Sequence, residues 1–321
     1  MTSQITPQQH PDAQFAVNTM RDDEIDLREL FSVIWQGKWL IAGVTLVFAV
    51  ASVVIALMLP NIYKSEALLA PASEEQGAGG LAWLASQFGG LASMAGINLG
   101  RASMVDKTQL ALEVMKTRQF TSEFINSHNI LPDLMATYKW NPESNKIEYD
   151  HEIYNEENLT WVRTVNPPLQ PKPSMQEAFK EFKKLVSIES SKDTGMVTIS
   201  VEHQSPYIAK QWVEWLVSDI NRVMKERDVT EALRSTEFLN KQLAQTNVAD
   251  IRTILYKLIE EQAKTIMFAE VRDEYIFKTI DPPLTPEEKS KPKRALICIL
   301  STLVGGMLGV FLVLFRHFLN R

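Results

Sequence analysis

Two uncharged apolar runs near the ends of a 321-residue chain, a β-hairpin pattern and an unbroken helical stretch of some forty residues predict an α+β protein. Two transmembrane helices flank an α/β base domain from which a long helical hairpin protrudes. Nearly all ionisable residues lie between the two runs, so the mean composition of 45% apolar residues conceals two different environments.

The first run, 40–59, reads LIAGVTLVFAVASVVIALML and carries no charge. As a helix it is about 30 Å long, the hydrocarbon thickness of a bilayer. The second run, 295–315, reads ALICILSTLVGGMLGVFLVLF and spans by the same arithmetic. Neither keeps the polar face that a helix of a soluble core would show. A cleaved secretory signal does not fit the first run, which is too long, follows a polar segment, and meets no small-residue cleavage pattern at Leu59 and Pro60. The expected organisation is therefore 1–38 as an N-terminal segment, 39–59 as the first span, 60–294 as the domain between the spans, 295–315 as the second span and 316–321 as a tail.

Charge does not orient these spans. Arg21, Arg28, Lys38, Arg316 and Arg321 flank them on one side, Lys64, Lys289, Lys291, Lys293 and Arg294 on the other, and long loops translocate largely regardless of charge. The formal net charge of −6 offers no basic stripe for nucleic acid, which is not expected as a partner. Cys298 is the only cysteine and lies in the second run, so neither a disulfide framework nor a thiolate zinc site is expected.

Residues 1–22 are rich in Gln, Pro, Thr and Asp without apolar period and read as a disordered lead. In 24–36 the apolar residues recur at helical spacing, which predicts a short amphipathic helix against the membrane, with Trp35 and Trp39 at the height of an interfacial aromatic belt. IYKSEALLAP reads as a strand. The uncharged, glycine-rich 77–100 lacks the lysine and Ser/Thr ending of a phosphate-binding loop and reads as a segment at a subunit contact or near the membrane surface.

A helix is expected from Ser103 to about His128, followed by an irregular stretch through Pro173. Ser174 then caps a helix that presents Met175, Ala178, Phe179 and Phe182 on one side. Val186 and Ile188, the turn SKDTG, and Val197, Ile199 and Val201 predict a β-hairpin with one buried face. Ser205 and Pro206 start the long helix, expected to reach Gln245 and to be roughly 60 Å long. Thr246 and Asn247 turn the chain into a second helix, the two together spanning about 205–271. EYIFKTID reads as a strand that rejoins the sheet begun by the first.

No catalytic, cofactor or metal site emerges. P-loop, HExxH, CxxC and GxSxG patterns are absent from the sequence, and its five histidines are scattered away from ligand spacing. The carboxylate pairs Glu156/Glu157 and Glu260/Glu261 read as solvated faces, because adjacent residues do not share one side of a helix. Trp140 and Trp161 read as packing residues or a subunit contact, with stacking on sugar rings as the alternative. Ser301, Gly305 and Gly309, four residues apart, remove side-chain bulk from one face of the second span and let another helix approach.

Several stretches together resemble the Wzz-type polysaccharide chain-length determinants, the class 1 polysaccharide co-polymerases. They are EIDLRELFSVIWQGKWLI before the first span, YKSEALLAP and GGLASMAGINLG after it, TGMVTISVEHQSPYIAKQWVEWLVSDIN at mid-chain, and IDPPLTPEEKSKPKR before the second span. The last matches the family's proline-rich signature, carried here by Pro282, Pro283, Pro286 and Pro292. The resemblance covers nearly the whole chain and departs at 132–173. It implies an inner-membrane protein with two spans, both termini cytoplasmic and the central domain periplasmic. Its members form homo-oligomeric rings and set the length of lipid-linked polysaccharide, in this case lipopolysaccharide O-antigen, made by a Wzy-type polymerase. Contact with the lipid-linked polysaccharide itself is a further implication, and no cofactor is implied. Tyrosine-kinase relatives carry a P-loop domain that these residues lack, so a regulator without enzymatic activity is expected. Capsule or exopolysaccharide export shares the architecture. A two-pass sensor is disfavoured, because no output module accompanies the spans.

Overall fold

The computed structural model describes residues 27–72 and 107–319. The glycine-rich 77–100 and the lead 1–22 lie outside them. Met58–Lys293 forms one compact unit, and the parts of the chain before and after it form another.

In the second of these, α1 (Leu27–Gln36) is followed after Gly37 by α2 (Lys38–Met58), and α9 (Arg294–Leu319) closes the chain. Both α2 and α9 are long and apolar enough to cross a membrane, with mean hydropathies of 2.8 and 2.5 over their best windows.

The unit Met58–Lys293 is built on a four-stranded antiparallel sheet of β1 (Tyr63–Pro71), β6 (Val186–Ser190), β7 (Val197–His203) and β8 (Phe277–Asp281), ordered β6-β7-β1-β8. The first strand is thus central, between partners far along the chain. Its register pairs Ser65 with Val201, Ala67 with Ile199 and Leu69 with Val197, and β6 adds Val186 and Ile188 to the first two rows. Small residues on β1 lie beside branched ones on β7, which leaves room for α7 (Pro206–Gln245) on that face. Along α7 the buried residues Ala209, Trp212, Val213, Leu216, Ile220 and Met224 keep helical spacing and then almost cease. The helix continues beyond the sheet because α8 (Ala249–Val271) packs back along it.

The expected helix from Ser103 is two helices within the described residues, α3 (Lys107–Met115) and α4 (Arg118–Ser127). Thr117 causes the break: its hydroxyl accepts from the N–H of Phe120 and donates to the carbonyl of Val114. The stretch expected to be irregular holds α5 (Leu131–Met135) and two small hairpins, β2 (Thr137–Asn141) with β3 (Lys146–Tyr149) and β4 (Tyr154–Asn155) with β5 (Thr160–Trp161). Its loop 164–173 is clamped by Arg163, which donates to the carbonyls of Gln170 and Pro171 and pairs with Glu177 at 2.8 Å. Glu177 also completes the capping box of α6 (Met175–Leu185) with Ser174, and these bonds hold its carboxyl at about 2.

The core runs from the sheet through Trp212 to Phe182 and Phe124, whose rings lie 5.5 Å apart. His203 is buried beside Trp212. Its Nε2 faces the carbonyl of Asp133 at 3.3 Å and its Nδ1 accepts from the N–H of Ser205 at 3.0 Å, so the ring is neutral with the proton on Nε2. Burial pushes it down to about 4.

The last strand is joined to α7 by Asn221. This buried amide accepts from the N–H groups of Ile276 and Phe277 and donates to the carbonyls of Phe277 and Val217.

Two expectations follow. Asn221→Leu leaves the Ile276 and Phe277 N–H groups without these partners and destabilises the unit by roughly 3 kcal/mol, read as a lowered midpoint in urea. The folded carboxyl of Glu177 sits below its unfolded value near 4.5, so its contribution is present above that value and lost as pH falls towards 2. Hydrogen exchange across 164–173, corrected for its intrinsic pH dependence, should accelerate over that window, and Glu177→Gln should show the same opening at pH 7.

Candidate functional site

The residues singled out in the sequence fall at two places: a helix pair and a proline-rich strap. Gly305 and Gly309 are buried on α9 against α2. A Cβ at Gly305 would stand 2.7 Å from Cβ of Phe48, and one at Gly309 would stand 3.0 Å from Cα of Ile41. Ser301 is half-buried one turn earlier. Sequence reasoning missed Gly37, where a Cβ would run into Val313, although glycine before an apolar run was a signal in plain view. Helix α2 contributes Ser52 and Ala56, both buried. Van der Waals contact along closely approaching backbones is what drives such pairs in lipid, where apolar side chains gain nothing by leaving the acyl chains for one another.

The pairing of Gly37 with Val313, Ile41 with Gly309 and Thr45 with Gly305 is antiparallel. At its end Arg294 Nε donates to the carbonyl of Ala56 at 2.9 Å. That carbonyl would ordinarily bond the N–H four residues on, but Pro60 has none. Arg294 thus takes the place of a missing backbone donor and sets a positive charge at the C-terminus of α2.

The strap lies in the unit Met58–Lys293. Pro283 is buried, Pro286 and Pro292 are half-buried and Pro282 is exposed. Prolines offer carbonyls and no N–H, so the strap is held by donors of β1 and its approach. Ser65 Oγ donates to the carbonyl of Leu284 at 2.7 Å, and the N–H of Ile62 donates to the carbonyl of Lys291 at 2.9 Å. In return Ser290 and Lys291 donate to the carbonyl of Ile62, and Lys291 Nζ reaches Glu202 at 2.6 Å. The entry and exit of the unit are thereby held side by side.

The titratable groups of the base serve its framework. Asp219 accepts from Arg222 at 3.1 Å and lies 2.9 Å from Nε2 of His128, whose ring stacks on Trp215. Tyr149 donates to Asp133 at 2.6 Å, and burial raises the values of both. Trp140 meets Tyr63 and Tyr207, while Trp161 packs on Tyr154. Among the described residues no cluster of His, Cys, Asp or Glu is arranged to hold a metal ion.

Continued between Thr45–Gly305 and the Arg294–Ala56 bond, the antiparallel register brings Ser52 to the level of Cys298. A Ser52→Cys variant should therefore form a disulfide with Cys298 under mild oxidation, detected by mass spectrometry of the digested chain. Gly305→Leu or Gly309→Leu should reduce its yield by forcing the helices apart.

The Wzz chain length determinant family matches residues 23–128. GNVR, a G-rich domain described on tyrosine kinases, matches residues 245–318. The first takes in α1, α2, β1, α3 and α4, and the second α8, β8, the strap and most of α9. A full-length bacterial polysaccharide co-polymerase is 16% identical over 92% of this chain and 98% of its own, with a TM-score of 0.38. A fragment of WzzB, a polysaccharide co-polymerase from Salmonella Typhimurium, is 13% identical over 72% of this chain and 100% of its own, with a TM-score of 0.26. No curated protein matches significantly. The chain therefore carries a Wzz chain length determinant domain in its first part and a GNVR domain in its last.

Proposed function

We propose that this protein sets the length of lipopolysaccharide O-antigen as a non-enzymatic co-polymerase working beside a Wzy-type polymerase at the inner membrane. The observation that carries the reading is the placement of the two family regions. Each contains one apolar helix and one strand of the same sheet, and the regions are tied to each other at Ile62 and Lys291. A device built to hold its two ends in register suits a scaffold. The engagement of Asn221, Arg163, His203 and Asp219 in framework bonds supports a role without chemistry.

In this reading residues 60–294 are periplasmic, both termini are cytoplasmic, and copies of the chain assemble into a closed ring that the lipid-linked polymer contacts. Leu233, Phe238, Ile251, Tyr256 and Met267 are exposed on the α7–α8 hairpin and support self-association along it.

Deleting the gene should leave polymer synthesis running and broaden the chain-length distribution, seen as loss of the modal cluster in the lipopolysaccharide ladder. Loss of all polymer would point to an enzyme, and an unchanged ladder with altered capsule would point to the export role. Replacing Pro283, Pro286 and Pro292 together by alanine should shift or spread the modal length at normal expression, because the strap loses its fixed backbone angles. A reporter active only in the periplasm should work when fused near Asn166 and be silent at Met20. The reverse pattern would overturn the orientation.

A further inference from the structure

Helix α1 carries an aromatic face that nothing among the described residues covers. Phe31 is 66% exposed, Trp35 62% and, just beyond the Gly37 turn, Trp39 81%. Phe31 and Trp35 stand one helical turn apart with rings stacked at 6.1 Å, and Lys38 Nζ lies 5.0 Å from the centre of the Trp35 ring. Val33 and Gly37, on other sides of the helix, are engaged. Val33 is 8% exposed, the helix packs on α9, and Gly37 meets Val313 so closely that no Cβ fits between them. Helix α1 therefore cannot roll to cover its aromatic rings without giving up the buried Val33 and parting Gly37 from Val313.

We propose that α1 is an in-plane membrane helix, lying along the headgroup–acyl boundary of the leaflet that α2 enters, with Phe31, Trp35 and Trp39 turned into lipid and Ser32 and Gln36 towards water. The proposal rests on the reading of α2 as a membrane span.

Continuity identifies lipid as the occupant. The aromatic face runs on into the outward surface of α2, where Leu46, Val47, Val50 and Val54 are exposed and apolar. Chemistry agrees, since indole rings combine an apolar body with a polar N–H and collect where acyl chains meet headgroups. Lys38 can keep its stem along Trp35 while its ammonium reaches the phosphate layer. At ten residues α1 is about 15 Å long, too short to anchor a protein alone. Locked to α9 through Gly37, it fixes the depth and rotation of the α2–α9 pair.

The test uses the full chain with Cys298→Ser, reconstituted in vesicles of phosphatidylcholine and phosphatidylglycerol, with nitroxide labels on single cysteines. The variants are Phe31→Cys, Ser32→Cys, Trp35→Cys, Gln36→Cys and, as a reference, Leu46→Cys. Collision with oxygen reports lipid, and collision with a water-soluble nickel chelate reports water. The labels replacing Phe31 and Trp35 should favour oxygen, at a depth shallower than the label replacing Leu46, while those replacing Ser32 and Gln36 should favour nickel. If the Leu46 label reads deep lipid but the Phe31 and Trp35 labels read water, the proposal fails and the span stands. Labels at Phe31 and Trp35 shielded from both reagents would mean that a second copy or another protein covers the face, which also overturns it. A Leu46 label in water would overturn the span and the proposal together.

Discussion

Asn221 is the joint on which the base of this protein turns. Strand β8 comes more than fifty residues after Asn221, on the far side of a long helical excursion, and its first residues have no sheet neighbour beyond β1. The Asn221 amide supplies one, meeting two N–H groups and one carbonyl of Ile276 and Phe277 as a strand would. Its fourth bond, to the carbonyl of Val217, fixes the side chain to its own helix. Few side chains could do this, because the task needs two donors and an acceptor with two lone pairs at one buried point. Once β8 is held, β1 has neighbours on both edges and the sheet is complete.

Closing the sheet in this way brings the ends of the unit together. The strap that follows β8 returns to Ile62, just before β1, and its prolines make that return one-sided: carbonyls are plentiful and donors few. Ser65 and Ile62 meet carbonyls of the strap, and the amides of Ser290 and Lys291 converge on Ile62. In the terminal unit the same chemistry recurs at Ala56 and Arg294, where a proline removes a donor and a charged side chain from the other end of the chain replaces it. Hydrogen bonds to charged groups are typically worth 1.5–3 kcal/mol when water is kept away, so such a contact is well suited to holding two helices in register.

The long helical hairpin obeys a different economy. Near the sheet α7 is buried on a strict helical period, but beyond Met224 it has only α8 beside it and exposes large apolar residues. Two helices alone bury only part of their apolar residues, and Leu233, Phe238, Ile251, Tyr256 and Met267 remain exposed. These residues lie between the two regions that match family models and within the second of them.

Much of this architecture was legible in the residues. Uninterrupted apolarity marks α2 and α9, alternation marks the β6–β7 hairpin, and Ser174, Ser205 and Pro206 mark helix starts through bonds that involve only their near neighbours. Gly305 and Gly309 were legible as a small-residue face, because four-residue spacing is a property of the helix alone. Their partner was not, and neither was the fit of Gly37 against Val313, since nothing local records which backbone will approach. The break at Thr117 and the hairpins of 137–161 escaped for a related reason: a threonine can sit within a helix or cap one, and strands of two to five residues carry too little alternation to stand out. The sequence by itself determined the long apolar helices, the β6–β7 hairpin and the capped helices α6 and α7, because those rest on period, length and capping within a few residues. Only the tertiary structure decided that β1 is central, that Asn221 completes β8 and that Arg294 caps α2, because each depends on groups more than fifty residues apart meeting at one point.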